Sequence, residues 1–137
     1  MQAQIPATCV AAVIVTDGRV LLGRRAPSRT YYPDCWDLFG GHVEENESLV
    51  GALRRELREE LGLEIKSWRP LAVVHDPVEP SDIHMFMITD WVGQPRNTAP
   101  DEQTEIGWFW ASDLPEFGGL DEYRRVVEKA MRDIADV

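Results

Sequence analysis

The spacing of hydrophobic residues changes period several times along this chain. From Ala7 to Val15 (ATCVAAVIV) the residues are nearly all apolar and often β-branched, which predicts a buried strand. Asp17-Gly18 is a two-residue hairpin signal, and VLLGRR (20–25) reads as the returning strand. APSRTYYPD (26–34) is a turn-rich loop, and WDLFGG (36–41) a short strand ending in paired glycines. The period then becomes helical from about Ser48 to Leu61. Leu49, Val50, Leu53, Leu57 and Leu61 share one broad face, Glu47 or Ser48 stands at the start, and Gly62 is a natural stop. RPLAVVHD (69–76) and IHMFMITDWVG (83–93) read as strands around a proline-rich loop, Pro77 to Pro80, and IGWFWA (106–111) as another. DEYRRVVEKAMRDI (121–134) is an amphipathic helix, with Tyr123, Val126, Val127, Ala130 and Ile134 on one side. With no repeat, low-complexity run or linker, the expectation is one domain over 1–137. Strands and helices intersperse without regular alternation, which predicts an α/β fold, a mixed sheet covered by helices.

The first helix carries a conflict. At about 100° per residue, Glu60 projects between Leu49 and Leu53, and Glu56 lies about 20° beyond Leu49. Arg54 and Arg58 point nearly opposite, toward solvent, and Arg55 can serve only the flank where Glu59 sits. Burying neighbouring carboxylates is costly unless they are paired or bind a cation. Two bland explanations stand beside a cation site: neutralisation by arginines, or a helix edge that is simply exposed. Carboxylates at i, i+3 and i+4 form a hard oxygen cluster suited to Mg²⁺ or Mn²⁺, ions that bridge to phosphates. The preceding FGGHVEENE adds Gly40 and Gly41, which let the backbone approach a ligand closely, though alone they would be an ordinary turn.

Composition narrows the partners. The 137 residues include 14 Lys plus Arg and 24 Asp plus Glu, a formal net charge of −10. Such a surface repels a nucleic acid polymer. An anionic small ligand would need metal ions to attract it. No apolar run approaches the roughly 20 residues that span a bilayer, and no basic-then-apolar signal segment opens the chain. Two cysteines, Cys9 and Cys35, are too few for a disulfide framework, so a reduced, cytoplasmic protein is expected.

Gly41, Glu47, Arg55, Glu56, Leu57, Glu59, Glu60, Gly62 and Leu63 together resemble the Nudix box. That pattern is a glycine, five residues, Glu, seven residues, then Arg-Glu-aliphatic-x-Glu-Glu-x-Gly-aliphatic. LLGRR, WDLFGG and EIGWFWASDLP look like the family's flanking strands, and the chain is similar to MutT-like Nudix hydrolases. The resemblance implies an α/β/α sandwich with a mixed central sheet, and hydrolysis of a nucleoside diphosphate linked to another group. It implies Glu56, Glu59 and Glu60 as metal ligands with a backbone carbonyl from Gly40 or Gly41, while Glu47 and Arg55 brace the loop. A further acid, as ligand or base, is expected from DEQTEIGW, with Glu102 preferred to Glu105. Phe39 stands where many relatives have proline, which bears on loop stiffness rather than on a ligand.

The implied reaction is substitution at phosphorus by water, with Glu56 or Glu102 taking the proton. Arg25, at the end of its strand, is the candidate phosphate clamp, and Arg24 then alternates outward. Trp36, Tyr31, Tyr32, Phe86 and Trp110 could stack a base, but aromatics in strands are usually core. His42, His75 and His84 lack metal-ligand spacing. For substrate, the absence of Tyr between Tyr32 and Tyr123 disfavours dinucleoside polyphosphates, and the absence of an extra amino-terminal domain favours a nucleoside triphosphate, an oxidised one included. ADP-ribose or a nucleotide sugar is the alternative, given Pro77 and Pro80 near a subfamily position, and a non-catalytic nucleotide sensor is a second. The expected assembly is a monomer or homodimer.

Overall fold

The computed structural model describes residues 5–118 and 121–135, so the ends of the expected 1–137 domain lie outside the described residues. Strand β1 (Ala7–Thr16) turns into β2 (Arg19–Arg25) through Asp17 and Gly18, at φ 53° and 78°. Both central residues have positive φ, as a turn matched to strand twist requires. β3 (Trp36–Asp37) and β4 (Phe39–His42) follow, then α1 (Leu49–Leu61), β5 (Glu64–Asp76), β6 (Ser81–Val92), β7 (Gln103–Trp110) and α2 (Asp121–Ala135).

The sheet is mixed. β1 runs parallel to β6 from Ala7↔Ser81 to Ile14↔Ile88 and antiparallel to β4 on its other side, while β6 pairs antiparallel with the edge strand β5. Beyond Val15 the chain passes into a second group, in which β2 pairs with β3 and β7.

Alternation along these strands sorts the core into two layers. Val10, Ala12 and Ile14 of β1 pack with Leu21, Phe86 and Ile88 under Ala52, Leu53, Leu57 and Leu61 of α1. The interleaved Ala11 and Val13 pack with Val20, Leu22, Met85 and Met87 under Tyr123, Val127, Ala130 and Met131 of α2. A strand's two-residue period therefore feeds one helix from each face, which makes an α/β/α sandwich.

Three details differ from the sequence expectation. WDLFGG is two strands: Trp36 and Asp37 pair with Arg24 and Gly23 of β2, whereas Phe39 to His42 pair with Ala12 to Cys9 of β1. The chain changes partner at Leu38, whose N–H donates to Asp37 Oδ1 at 2.7 Å. β5 begins at Glu64 rather than near Arg69; register shifts at 65–67, 67–68 and 70–72 erase its alternation, and Pro70 is tolerated because the strand is an edge. In α2, Met131 is buried and Ile134 is 37% exposed. No helix among the described residues is long and apolar enough to cross a membrane.

Candidate active site

The caps of α1 set the position of its acids. Ser48 is the N-cap, its Oγ accepting from Gly51 N–H at 2.9 Å. Gly62 closes the helix at φ 69°, its N–H donating to Arg58 O at 3.1 Å, and Leu63 N–H donates to Leu57 O. Between these caps the acid-bearing edge lies against β4. Gly40 N–H donates to Glu60 Oε2 at 3.1 Å, and a Cβ on Gly41 would stand 2.6 Å from Glu56 Oε1. A Cβ on Gly40 would overlap the carbonyl of Val10 across the β1–β4 pair. The two glycines thus serve different approaches, one of strand to strand and one of backbone to carboxylate.

Glu60 is 7% exposed. Burial pushes its carboxyl well above the usual range, the negative Glu56 and Glu102 push further, and only the Gly40 N–H pulls back. Among the described residues no Lys, Arg or His nitrogen forms an ion pair with Glu60; Arg55 pairs with Glu44, Glu47, Glu56 and Glu59 instead. Glu56 is also raised, first by burial, against the opposing Arg55, with Glu59 and Glu102 adding to the rise.

Arg55 is the hub beside them. Its Nε and Nη2 grip both oxygens of Glu47 at 2.8 and 3.0 Å, Nη1 donates to Glu56 Oε1 at 2.8 Å, and Nη2 to His42 O at 3.0 Å. Glu47 Oε1 accepts as well from Glu44 N–H at 3.0 Å. The Arg55 hydrogen bonds, with that backbone bond, lower the Glu47 carboxyl to about 2, and the Arg55 guanidinium is raised in return. This corrects the helical wheel, which confined Arg55 to the flank. Adjacent helix positions do not face one another, but Glu47 draws the long guanidinium stem over the loop and so past Glu56. Arg54 is corrected too: it stacks 4.9 Å from the Trp68 ring and donates to Ile65 O at 3.0 Å instead of pointing to solvent.

These groups open on a cleft of about 310 Å³. Of the candidate metal, catalytic and phosphate-binding residues, Arg25, Gly40, Gly41, Glu56, Glu60 and Glu102 line it. Glu59 does not; its side chain is 61% exposed, with Oε2 3.5 Å from Arg55 Nη1. Glu105 is held in register with Arg24 across β2 and β7, away from that cluster. Arg25 donates from Nε to Tyr31 O at 2.9 Å and stands 3.6 Å from Asp37 Oδ2. Among the five aromatics, Tyr32 alone lines the cleft; Phe86 is core, Trp36 packs edge-on against Phe109, and Trp110 covers Arg19.

Sequence reasoning missed the far wall. Tyr123 OH donates to Asp37 Oδ1 at 2.9 Å, and Tyr32 OH donates to both oxygens of Asp76 at 3.0 and 2.8 Å. Burial, before any other cause, lifts the Asp37 carboxyl to about 6. Each pair joins distant parts of the chain, and no local pattern announces it.

Among the described residues no three His, Cys, Asp or Glu side chains converge into a ready-formed cation cage. The donor chemistry nonetheless fits a hard divalent ion: carboxylate oxygens at one edge, one of them nine-tenths buried with a single backbone hydrogen bond and no counter-charge.

Layers, helix and cleft define an α/β/α sandwich with an acid-edged cleft. The NUDIX domain pattern matches residues 5–130, and the chain belongs to that family. It is 47% identical over 118 residues, 78% of this chain and 84% of the relative, to nucleoside triphosphatase NudI of Escherichia coli. It is 33% identical over 108 residues, 79% of this chain and 80% of the relative, to 8-oxo-dGTP diphosphatase of Buchnera aphidicola. The crystal structure of a MutT NUDIX hydrolase from Burkholderia pseudomallei superposes with a TM-score of 0.82 at 33% identity, covering 91% of this chain and 98% of that one.

Proposed function

We propose that this protein is a divalent-cation-dependent pyrophosphohydrolase that converts a nucleoside triphosphate, oxidised forms included, to the monophosphate and pyrophosphate. The observation that carries the reading is Glu60, buried without a counter-charge beside Glu56 on the wall of the cleft. Relatives named for nucleoside triphosphate and 8-oxo-dGTP hydrolysis support the choice of substrate.

Glu56, Glu59, Glu60 and Glu102, with a carbonyl of Gly40 or Gly41, would hold Mg²⁺ or Mn²⁺; bound there, the ion supplies charge neutralisation on the phosphates and a lower pKa for water. Glu59 reaches that set by leaving Arg55, a change open to an exposed side chain. In the reaction an oxygen–phosphorus bond forms from water, a phosphoanhydride bond breaks, and pyrophosphate leaves. Glu56 or Glu102 accepts the proton of the attacking water. Arg25 grips phosphate oxygens. Arg55 and Glu47 brace the loop between β4 and α1. Cys9 and Cys35 are free thiols, which suits the cytoplasmic setting we assign, as monomer or homodimer.

The test is a nucleotide panel with Mg²⁺ and product identification. Monophosphate plus pyrophosphate from a triphosphate is expected. Ribose phosphate plus AMP from ADP-ribose as the preferred reaction replaces the substrate, and binding without turnover on every compound replaces the enzyme with a sensor.

A further inference from the structure

An α-helix ends with four carbonyls that have no partner inside it. In α1 these belong to Arg58, Glu59, Glu60 and Leu61, and Gly62 N–H takes the first. Residues 96–103 take the other three. Arg96 N–H donates to Leu61 O at 3.2 Å, Thr98 N–H to Glu60 O at 3.0 Å, and Thr98 Oγ1 to Glu59 O at 2.6 Å. Gln103, 5% exposed, donates from Nε2 to Glu60 O at 3.2 Å and to Asn97 Oδ1 at 3.1 Å.

Backbone groups force that amide orientation. Asn97 Oδ1 accepts from Ala99 N–H at 3.1 Å and its Nδ2 donates to Gln103 O at 2.9 Å, so Asn97 offers Gln103 an acceptor only. The neighbouring Glu102 is fixed at both backbone ends: its N–H donates to Ala99 O and its carbonyl accepts from Ala26 N–H, each at 2.9 Å. Glu102 lines the same cleft as Glu56 and Glu60.

We propose that Gln103, seconded by Thr98 and Asn97, is a positioning residue: its amide docks the Glu102 loop on the last turn of α1, holding acids from two remote stretches of chain at one spacing. The proposal rests on the reading of Glu102 as part of the cation site. Like charges at that edge repel, and a loop released from α1 would carry Glu102 outward. Donors on the negative end of the helix dipole oppose that movement.

Gln103→Met keeps the side-chain shape and deletes both donated bonds. In the metal-free protein the amides of Arg96 and Thr98 are expected to lose roughly three- to tenfold of their hydrogen-exchange protection. Mn²⁺ affinity, read by electron paramagnetic resonance without turnover, falls several-fold. kcat drops about ten- to a hundredfold, while KM for the nucleotide moves less than about twofold. Thr98→Val, at an exposed position that does not endanger folding, gives the same signature at smaller amplitude, and Thr98→Ser restores it. Lost protection with wild-type Mn²⁺ affinity and kcat overturns the proposal, as does a kcat loss that only tracks the fraction unfolded. Glu102→Gln, run alongside, separates the two readings. If it loses activity and Mn²⁺ affinity while Gln103→Met keeps both, the latch alone is wrong. If it matches wild type in both, Glu102 has no part in the site and the latch no such purpose.

Discussion

Asp37→Asn is expected to stabilise the protein, and to do so only where the wild-type carboxyl is ionised. Burial lifts that carboxyl from 3.8 to about 6, against the pull of Tyr123, Arg25 and the Leu38 N–H. At roughly 1.4 kcal/mol per unit, the rise corresponds to about 3 kcal/mol. The side chain is still 21% exposed, and solvent screening trims the figure to about 1–3 kcal/mol. The sign follows from proton binding. Between pH of about 4 and 6 the folded form holds this proton more tightly than the unfolded form, so stability falls as pH rises through that window. The penalty is absent below it and complete above it. Asparagine keeps what the carboxylate does well, because Leu38 N–H and Tyr123 OH both bond to Oδ1, at 2.7 and 2.9 Å. What disappears is a charge 3.6 Å from Arg25, which retains Tyr31 O at 2.9 Å. Urea unfolding at pH 4 and pH 8 reads the difference. Near-zero change at pH 4 and a gain of about 1–3 kcal/mol at pH 8 are expected, the latter a rise of roughly 3–10 °C in Tm. A variant no more stable than wild type at pH 8, or offset equally at both pH values, refutes the reasoning.

The remaining predictions concern the acid edge. Glu60→Gln keeps the Gly40 N–H bond and removes a carboxyl whose pKa folding raises. Its Tm at pH 8 is therefore expected to equal or exceed that of wild type, while kcat falls about a hundredfold or more; wild-type turnover removes Glu60 from the site. Gly40→Ala sets a Cβ into Val10 O and is expected to abolish folded protein. Gly41→Ala meets only the end of Glu56 and folds with reduced activity, so equal melting curves for the pair contradict the division of labour. Mg²⁺ added to metal-free protein is expected to release protons over the pH range in which these carboxyls titrate, since Glu56 and Glu60 are both raised and a cation reverses that shift. A pH-indicator titration with no release denies the coupling.

Periodic features were legible in the chain, and features joining remote segments were not. The leucine stripe of α1 and the apolar run of β1 repeat over enough residues to declare both element and buried face. The α2 stripe does the same, apart from one residue near its end. β5 was obscured because bulges interrupt its alternation, and WDLFGG because a strand that changes partner looks like one strand. Hydrogen bonds such as Tyr123 to Asp37, 86 positions apart, and Gln103 to the end of α1 leave no periodic trace.

The contrast between Glu60 and Asp37 explains why one buried acid is visible in the sequence and the other hidden. Glu60 stands among leucines on a helical stripe, so its burial is implied by its neighbours and its charge stands out as a conflict. Asp37 lies between Trp36 and Leu38, and a two-residue period places it on the face opposite both, where solvent is the ordinary expectation. In the structure the carboxylate instead meets a residue the local pattern cannot supply, Tyr123 of α2, which is 5% exposed, packs in the same layer as Leu38 and donates to Asp37. An acid's burial can be read from sequence when the apolar stripe of its own element implies it; when a contact from a remote element sets it, the tertiary fold must be known first. The two groups consequently call for different perturbations: neutralising Glu60 tests the chemistry of the edge, and neutralising Asp37 tests the packing of α2 upon the sheet.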